Sequence, residues 1–237
     1  MNGLTDPTDN GFVKNMHESA KRLRSNRIVK KDVVSSEMLI ELCNIFAGNT
    51  DLLILRDLAM ILIAYAGFLR FDELTELRCS DISFKENYLS IQIRKSKTDI
   101  YREGNEILIA KGVSAACPYH MLQSYMYKAS IDCSSQSYLF RPIIRSREVC
   151  KLSEKDKKLS YTRTREIVLA KLKLVAPCLN LGVHSLRAGG ASSAAASATV
   201  NERCLKRHGR WKADLSKDGY IQDSIQKRLK ITEALHL

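Results

Sequence analysis

The hydrophobic pattern in the first part of the chain predicts helices. A helix is expected over 37–47, where it begins after two serines and ends before Gly48. Residues 51–66 are apolar on nearly all faces, which is typical of a helix buried in a core, and Gly67 is expected to stop it. Residues 1–34 are polar and basic with little periodicity, so we expect a linker or a short helix there.

The hydrophobic period then changes to two, which is the period of a β-strand. Apolar and polar residues alternate over 88–94, and 82–84 and 106–110 supply shorter strands before and after this stretch. Together they predict a small three-stranded antiparallel sheet, with residues 96–99 in its second hairpin turn.

Helical periodicity returns after Gly112 and continues to the end of the chain. One of these helices is built almost entirely of Gly, Ala and Ser, and such small side chains let another backbone approach closely. The predicted architecture is therefore mainly α with a small three-stranded antiparallel sheet. The helices expected here span residues 117–129, 162–175, 185–198, 201–208 and 222–235.

The composition is that of an ordinary globular protein. The chain has 237 residues, 45% hydrophobic and 27% charged, which is enough to bury a core. The longest nearly uncharged run, 58–69, is shorter than the roughly 20 residues that a membrane span needs, and the first ten residues do not resemble a secretory signal. Seven cysteines are scattered without a Cys-x-x-Cys pair, which favours a reducing compartment over a disulfide framework.

Positive charge is concentrated in the last third of the chain. The net charge is +12, and residues 151–237 hold 18 Lys and Arg against 8 Asp and Glu. A concentrated positive field favours a partner that carries phosphates. A solvated, lysine-rich face remains an alternative at this point.

Several residues could carry chemistry, although each also has an ordinary structural explanation. Arg70 directly follows the buried helix, and Glu73 is spaced to orient its guanidinium from one face of a turn. Lys97 lies at the tip of the predicted hairpin, where it can reach a groove or a phosphate. His184 and Arg187 share one face at a helix start, where together they can hold an oxyanion. Taken singly, these residues would be a surface ion pair, a solubilising turn and a structural histidine.

The order of these residues is more informative than any one of them. An Arg, a Lys on a β-hairpin and a His-x-x-Arg are followed by Trp211, the only Trp, and by Tyr220. This order resembles the catalytic domain of tyrosine recombinases, the phage-integrase-like family that includes Cre- and XerD-type enzymes. Within that family the chain looks closest to recombinase-like proteins of animal genomes that are linked to Crypton or DIRS mobile elements. The resemblance covers residues 35–237 and implies the DNA breaking-rejoining fold of that domain. It leaves 1–34 as a basic linker or a remnant of the core-binding domain.

The resemblance implies a role for each matching residue. Tyr220 would be the nucleophile that forms a 3′-phosphotyrosyl link. Arg70 and Arg187 would clamp the non-bridging phosphate oxygens, which suits the bidentate guanidinium fork. Lys97 would protonate the leaving 5′-oxygen, and Glu73 would support the first arginine. The implied catalytic residues are Arg70, Lys97, His184, Arg187, Trp211 and Tyr220.

Trp211 stands where many relatives have His and Cre-like enzymes have Trp. A histidine three residues earlier, His208, competes for this match, but the spacing to Tyr220 favours Trp211. We also expect DNA contacts from four basic residues, Arg94, Lys95, Arg207 and Arg210.

The same resemblance implies which partners and cofactors the chain needs. Two arginines take the place of a metal, and the covalent link conserves bond energy, so we expect no metal, no other cofactor and no ATP. The pairs Cys117-x-x-His120 and Cys204-x-x-x-His208 are too isolated to predict a zinc site. The expected partners are double-stranded DNA and further copies of the chain, four on two duplexes.

The last helix, expected over 222–235, has two possible partners. It is expected to dock on a neighbouring copy through Ile225 and Leu229 or to pack on its own core.

The cellular compartment depends on the host, since the substrate is DNA. A eukaryotic host would imply the nucleus and any other host the cytoplasm.

The main departure from the family is the short N-terminal part. About 35 residues precede the resemblance, too few for the core-binding domain that closes a clamp around DNA. The chain is therefore expected to be a fragment, a partial gene product or a degenerate copy. Two other functions remain open: a domesticated, non-catalytic DNA-binding protein, and DNA relaxation of the type IB topoisomerase kind.

Overall fold

The computed structural model describes residues 6–23, 30–94, 104–146, 149–197 and 199–222, together with 229 and 232. These residues fall into two units, 1–30 and 31–237. The first unit holds helix α1 (Gly11–Leu23), where the sequence predicted a linker or a short helix. The side chains of α1 are exposed, including those of Phe12 and Met16.

The second unit is organised around one buried helix. Residues 58–64 of α3 (Leu52–Ala66) are all buried, which explains why the sequence of this helix is apolar on nearly every face. Helix α3 contacts α5, α6 and α7, so the core forms around it. Within the described part of this unit, the helices are α2 (Ser36–Ile45), α3, α4 (Phe71–Glu76), α5 (Pro118–Lys128), α6 (Tyr161–Leu172), α7 (Val183–Ala196), α8 (Glu202–His208) and α9 (Asp214–Asp218).

The predicted three-stranded antiparallel sheet is confirmed. Its strands are β1 (Ile82–Phe84), β2 (Tyr88–Ile93) and β3 (Asn105–Ala110), in that order across the sheet. Ile91 of β2 lies opposite Ile82 and Ile107, and all three side chains are buried. The turn expected at 96–99 lies outside the described residues.

A second, two-stranded sheet was not predicted. It pairs β4 (Ile143–Ser146) with β5 (Val149–Leu152) in antiparallel register. Most side chains of these strands are exposed or half-buried, so the sequence lacks the buried alternation that reveals a strand. Helices α4 and α9 were also missed, because each has six residues or fewer and shows little periodicity. The helix expected over 222–235 lies almost wholly outside the described residues.

The ends of α3 and α8 each use a left-handed residue that is not glycine. Gly67 was expected to stop α3, but its φ is −87°, and the left-handed residue is Phe68 with φ 47°. The Phe68 amide donates to the Tyr65 carbonyl, and the amide after it donates to Ala64, which is the Schellman pattern. Helix α8 ends in the same way with Arg210, whose φ is 54°. A left-handed conformation costs a residue with a side chain roughly 1–2 kcal/mol, so both side chains need compensating contacts.

The small residues of α7 allow close backbone contacts, as the sequence predicted. A Cβ at Gly189 would lie 2.0 Å from the Val34 carbonyl oxygen, and a Cβ at Gly190 would lie 2.3 Å from that of Tyr65. The Val34 amide also donates to the Ser185 carbonyl. Helix α7 is therefore held directly against α3 and against the chain that enters α2.

Among the described residues, no helix is long and apolar enough to cross a membrane.

We expect Gly189→Ala to destabilise the protein. The added methyl group must displace the Val34 backbone, and overpacking of this kind costs about 1–3 kcal/mol. Urea denaturation followed by far-UV circular dichroism measures the loss. Gly112→Ala is the matched control, because its Cβ would meet only the Cys117 sulfur at 3.8 Å. Equal stability of the two variants would contradict the close packing of α7.

Candidate active site

One buried carboxylate lies at the centre of the candidate site. Glu73 is on the first turn of α4, and its side chain is 2% exposed. Its Oε1 accepts from Arg70 Nη1 at 2.7 Å, and its Oε2 accepts from the Arg70 amide at 2.9 Å. Arg210 Nη2 donates to the same Oε2 at 2.8 Å, and Arg187 Nη1 is 3.8 Å from it. Within the described structure, Glu73 therefore faces three guanidiniums.

The charges around Glu73 determine its protonation. Burial alone would raise the pKa of the Glu73 carboxyl, but Arg210 and the amide and guanidinium of Arg70 hold this pKa below its ordinary value. Glu73 is therefore ionised at neutral pH. Because one carboxylate faces three guanidiniums, the cluster retains an excess of positive charge in a region of low exposure.

Arg187 is the most deeply placed of these cations. It lies on the second turn of α7, and its side chain is fully buried. Its Nη1 donates to the Phe68 carbonyl and its Nη2 to the Gly209 carbonyl, the latter at 2.7 Å. Burial and the neighbouring Arg70 and Arg210 lower the pKa of Arg187 to about 10. The guanidinium stays charged at neutral pH, and a bound anion would relieve the repulsion that it experiences.

Two aromatic rings flank Arg187. Its guanidinium carbon lies 5.0 Å from the centre of the Trp211 ring and 4.8 Å from the centre of the Tyr220 ring. The two rings are 6.0 Å apart. Gly209 makes this arrangement possible, because a Cβ there would lie 2.0 Å from the Trp211 ring. The arginine of His-x-x-Arg is therefore brought directly to the tryptophan and the tyrosine.

The backbone around Tyr220 is held from two sides. Ser192 of α7 donates its hydroxyl to the Tyr220 carbonyl at 3.4 Å and accepts from the Gln222 amide at 2.9 Å. Lys217 of α9 is buried, and its ammonium pairs with Glu202 of α8. The Tyr220 amide in turn donates to the Lys217 carbonyl at 2.9 Å. These contacts fix the half-buried Tyr220 relative to Arg187.

The cluster keeps N–H donors that no protein acceptor in the described structure uses. Among the described residues, the site contains three buried N–H donors without a protein acceptor, namely Arg187 Nε, Arg210 Nε and Trp211 Nε1. A buried donor without a partner costs about 1–3 kcal/mol, so a site that keeps several of them favours a ligand with acceptor oxygens. A phosphate group supplies such oxygens together with negative charge.

Not every predicted residue joins this cluster. The side chain of His184 is exposed on the first turn of α7. Arg207 is also exposed, and Arg94 pairs with Asp81 while half of its side chain remains accessible. Lys95 and Lys97 lie outside the described residues.

Arg210 differs from the expectation that it contacts DNA. Its side chain is only 2% exposed, and all of its hydrogen bonds are made to protein groups. Sequence reasoning assigned it to DNA because it is a basic residue in a basic segment. Burial beside Glu73 gives Arg210 an internal role instead.

His208 and Trp211 have different surroundings. His208 Nε2 lies 2.8 Å from the Ala66 carbonyl at the end of α3, and the ring packs edge-on against Phe68 at 4.6 Å. Burial, and to a lesser extent Arg210 and Arg187, lower the pKa of His208. A neutral histidine whose Nε2 donates to the Ala66 carbonyl fits this environment. Trp211, rather than His208, contacts Arg187 and Tyr220.

Comparison with known proteins identifies the family. The profile of the phage integrase family matches residues 33–223. The chain belongs to the phage integrase family. This family member is 28% identical over 221 residues to an integrase/recombinase XerD homologue from Selenomonas ruminantium, covering 93% of this chain and 62% of that protein.

Solved structures of recombinases share the fold. The post-cleavage complex of XerH site-specific recombinase with its palindromic difH substrate matches with a TM-score of 0.65 and 13% identity, over 88% of this chain and 55% of that one. XerA recombinase matches with a TM-score of 0.60 and 18% identity, over 86% and 64%. A λ integrase tetramer bound to a Holliday junction matches with a TM-score of 0.54 and 16% identity, over 90% and 56%. The predicted tyrosine recombinase catalytic-domain fold is thereby confirmed. The chain spans less than two thirds of the length of these relatives.

Replacing Glu73 tests the electrostatic centre of the site. Glu73→Gln leaves buried guanidiniums without their counter-charge, so we expect a loss of about 3–5 kcal/mol in unfolding free energy. The measurement is urea denaturation at neutral pH. Glu76→Gln is the matched control on the same helix, because Glu76 is 44% exposed and its pair with Lys158 is worth less than about 1 kcal/mol. Similar losses in both variants would contradict the central role of Glu73.

Proposed function

We propose that this chain is the catalytic part of a site-specific DNA recombinase or integrase that acts through a 3′-phosphotyrosyl intermediate. The observation that carries the proposal is the position of Arg187. It joins the charged cluster around Glu73 to the rings of Trp211 and Tyr220. A cation fixed over a tyrosine ring, beside further guanidiniums that favour an anion, suits the transfer of a phosphoryl group to that tyrosine.

The reaction balances with groups that the chain itself supplies. The Tyr220 oxygen forms a bond to the phosphorus, and the bond from phosphorus to the 5′-oxygen of the DNA breaks. The phenol proton leaves Tyr220, with His184 or the two arginines, Arg70 and Arg187, proposed to assist. The proposed general acid Lys97 gives a proton to the 5′-oxygen. Rejoining reverses these steps, because a 5′-hydroxyl attacks the phosphotyrosine and releases the tyrosine.

Arg70 and Arg187 are proposed to hold the two non-bridging oxygens, Arg187 through its Nε, because both of its Nη atoms donate to the Phe68 and Gly209 carbonyls. Arg70 is 16% exposed, so its guanidinium remains within reach of a substrate while Glu73 holds it. Trp211 is proposed to donate its indole N–H to the same phosphate, since this buried donor has no protein acceptor. Fixed guanidiniums stabilise the developing charge without a metal, and each strand keeps its bond energy in the covalent link. We therefore propose that neither a metal nor ATP is needed.

The partners proposed are double-stranded DNA and further copies of the chain. The solved relatives include XerH with its difH substrate and a λ integrase tetramer on a Holliday junction, which makes a tetramer on DNA the assembly to expect. Arg94, Lys95 and Arg207 remain proposed DNA contacts, and 1–34 is proposed as a linker or a core-binding remnant. An affiliation with Crypton or DIRS elements is also proposed, with the nucleus as the place of action in a eukaryotic host and the cytoplasm in any other.

The nucleophile can be tested with purified protein and supercoiled plasmid in EDTA, without ATP. We expect wild-type protein to give covalent protein–DNA adducts after detergent quenching, and Tyr220→Phe to give none. Tyr138→Phe is the control, because the ring of this tyrosine packs under the Arg78 guanidinium, and we expect removal of its hydroxyl to leave adduct formation intact.

Each outcome of this assay selects one function. Adducts that persist in Tyr220→Phe would contradict the assignment of the nucleophile. Plasmid binding by the wild type with no adduct would favour a non-catalytic DNA-binding protein. Relaxation by a protein that does not assemble on DNA would favour an activity of the type IB topoisomerase kind.

A further inference from the structure

Arg210 is the third arginine of the cluster around Glu73, and neither the motif order nor the proposed reaction assigns it a role. It occupies a left-handed position at the end of α8, where glycine is the favoured residue. The backbone conformation there disfavours a large side chain, so the side chain must contribute something in return. Its contacts show what that contribution is.

The guanidinium of Arg210 shares an acceptor with each of the two motif arginines. Glu73 Oε2 accepts from Arg210 Nη2, while the same carboxylate accepts from Arg70. The Phe68 carbonyl accepts from Arg210 Nη2 at 2.8 Å and also from Arg187 Nη1. Arg210 is therefore linked to Arg70 through one acceptor and to Arg187 through another.

The remaining contacts of Arg210 fix the chain segments that carry these acceptors. Its Nη1 donates to the Gly67 carbonyl at 3.2 Å and to the His208 carbonyl at 2.7 Å. One guanidinium therefore makes hydrogen bonds to three chain segments, namely the end of α3, the end of α8 and the start of α4. A lysine has the same charge but a single nitrogen, which cannot reach this set of acceptors at once.

Charge gives Arg210 a second effect. If Arg70 turned toward a phosphate, Glu73 would lose part of its pairing, and Arg210, which is paired with the same carboxylate at 2.8 Å, would keep it neutralised and in place. Without Arg210, the buried carboxylate would compete with the phosphate for both motif arginines. The extra guanidinium thus leaves Arg70, and the Nε of Arg187, available for an oxyanion.

We propose that Arg210 is a positioning residue that sets Arg70 and Arg187 in place for a phosphoryl oxyanion. The inference deepens the proposed function and rests on it for the transfer step, although the effect on anion binding follows from the cluster alone. A displacement of about 1 Å in a reacting group can cost on the order of 10²-fold in rate. The defect should therefore be larger in the transfer step than in DNA binding.

The first arm of the test uses inorganic phosphate and needs no DNA. Phosphate is titrated against chloride at constant ionic strength, while the fluorescence of Trp211, the only tryptophan, reports on the site. Wild-type protein is expected to bind phosphate, and Arg210→Lys to bind it about tenfold more weakly or worse. The control is Arg203→Lys, an exposed position on helix α8, which Arg210 follows, and we expect it to keep wild-type affinity. Equal affinities for wild type and Arg210→Lys, or no phosphate binding by the wild type, would overturn the proposal.

The second arm separates transfer from binding. On supercoiled plasmid at saturating protein, Arg210→Lys is expected to form adducts about 10–100-fold more slowly than wild type, with a DNA Kd within about twofold. Arg210→Gly guards against simple misfolding, because glycine relieves the left-handed backbone, and it should show at least the same loss of rate. Wild-type rates in both variants would overturn the proposal. No adduct from the wild type would overturn the proposed function instead, and the phosphate titration would still decide the role of Arg210.

Discussion

The buried carboxylate of Glu73 is the constraint on which the rest of the site depends. Guanidiniums of low exposure repel one another, and burial of each is costly unless a counter-charge and acceptors are supplied. Glu73 supplies that charge, and the carbonyls at the end of α3 supply the acceptors. The left-handed turn at Phe68 ends α3 and so leaves these carbonyls free to accept from the arginines. Arg70 follows this turn as the N-cap residue of α4.

Distant segments of the chain meet at this point for the same reason. The ends of α3 and α8 and the start of α7 are drawn together because each contributes a cation or a carbonyl to one network. The glycines of α7 and α8 allow the approach, since a side chain at Gly189, Gly190 or Gly209 would collide with a neighbour. This packing gives the site an excess of positive charge, buried N–H donors without acceptors among the described residues, and a tyrosine ring next to Arg187. These three features suit the proposed exchange of phosphodiester bonds.

The long elements and the motif order could be predicted from the sequence, whereas the hydrogen bonds and ion pairs inside the site could not. The buried helix α3, the sheet β1–β3 and the small residues of α7 have strong periodic or compositional signals. Short elements such as α4 and α9 lack such signals, and β4–β5 shows too little burial to reveal itself. Arg210 was taken for a DNA contact because charge alone does not tell a surface arginine from a buried one. Only its position after a helix-ending Gly209, where glycine or asparagine is usual, hinted at an internal role.

A double-mutant cycle between Glu73 and Arg210 tests the central claim most directly. The unfolding free energies of wild type, Glu73→Gln, Arg210→Gly and the double variant are measured by urea denaturation under one set of conditions. Because the two side chains form a buried ion pair at 2.8 Å, the account predicts a coupling of about 1–3 kcal/mol, with the double variant more stable than the sum of the single losses implies. Additive losses, equal within about 0.5 kcal/mol, would contradict it.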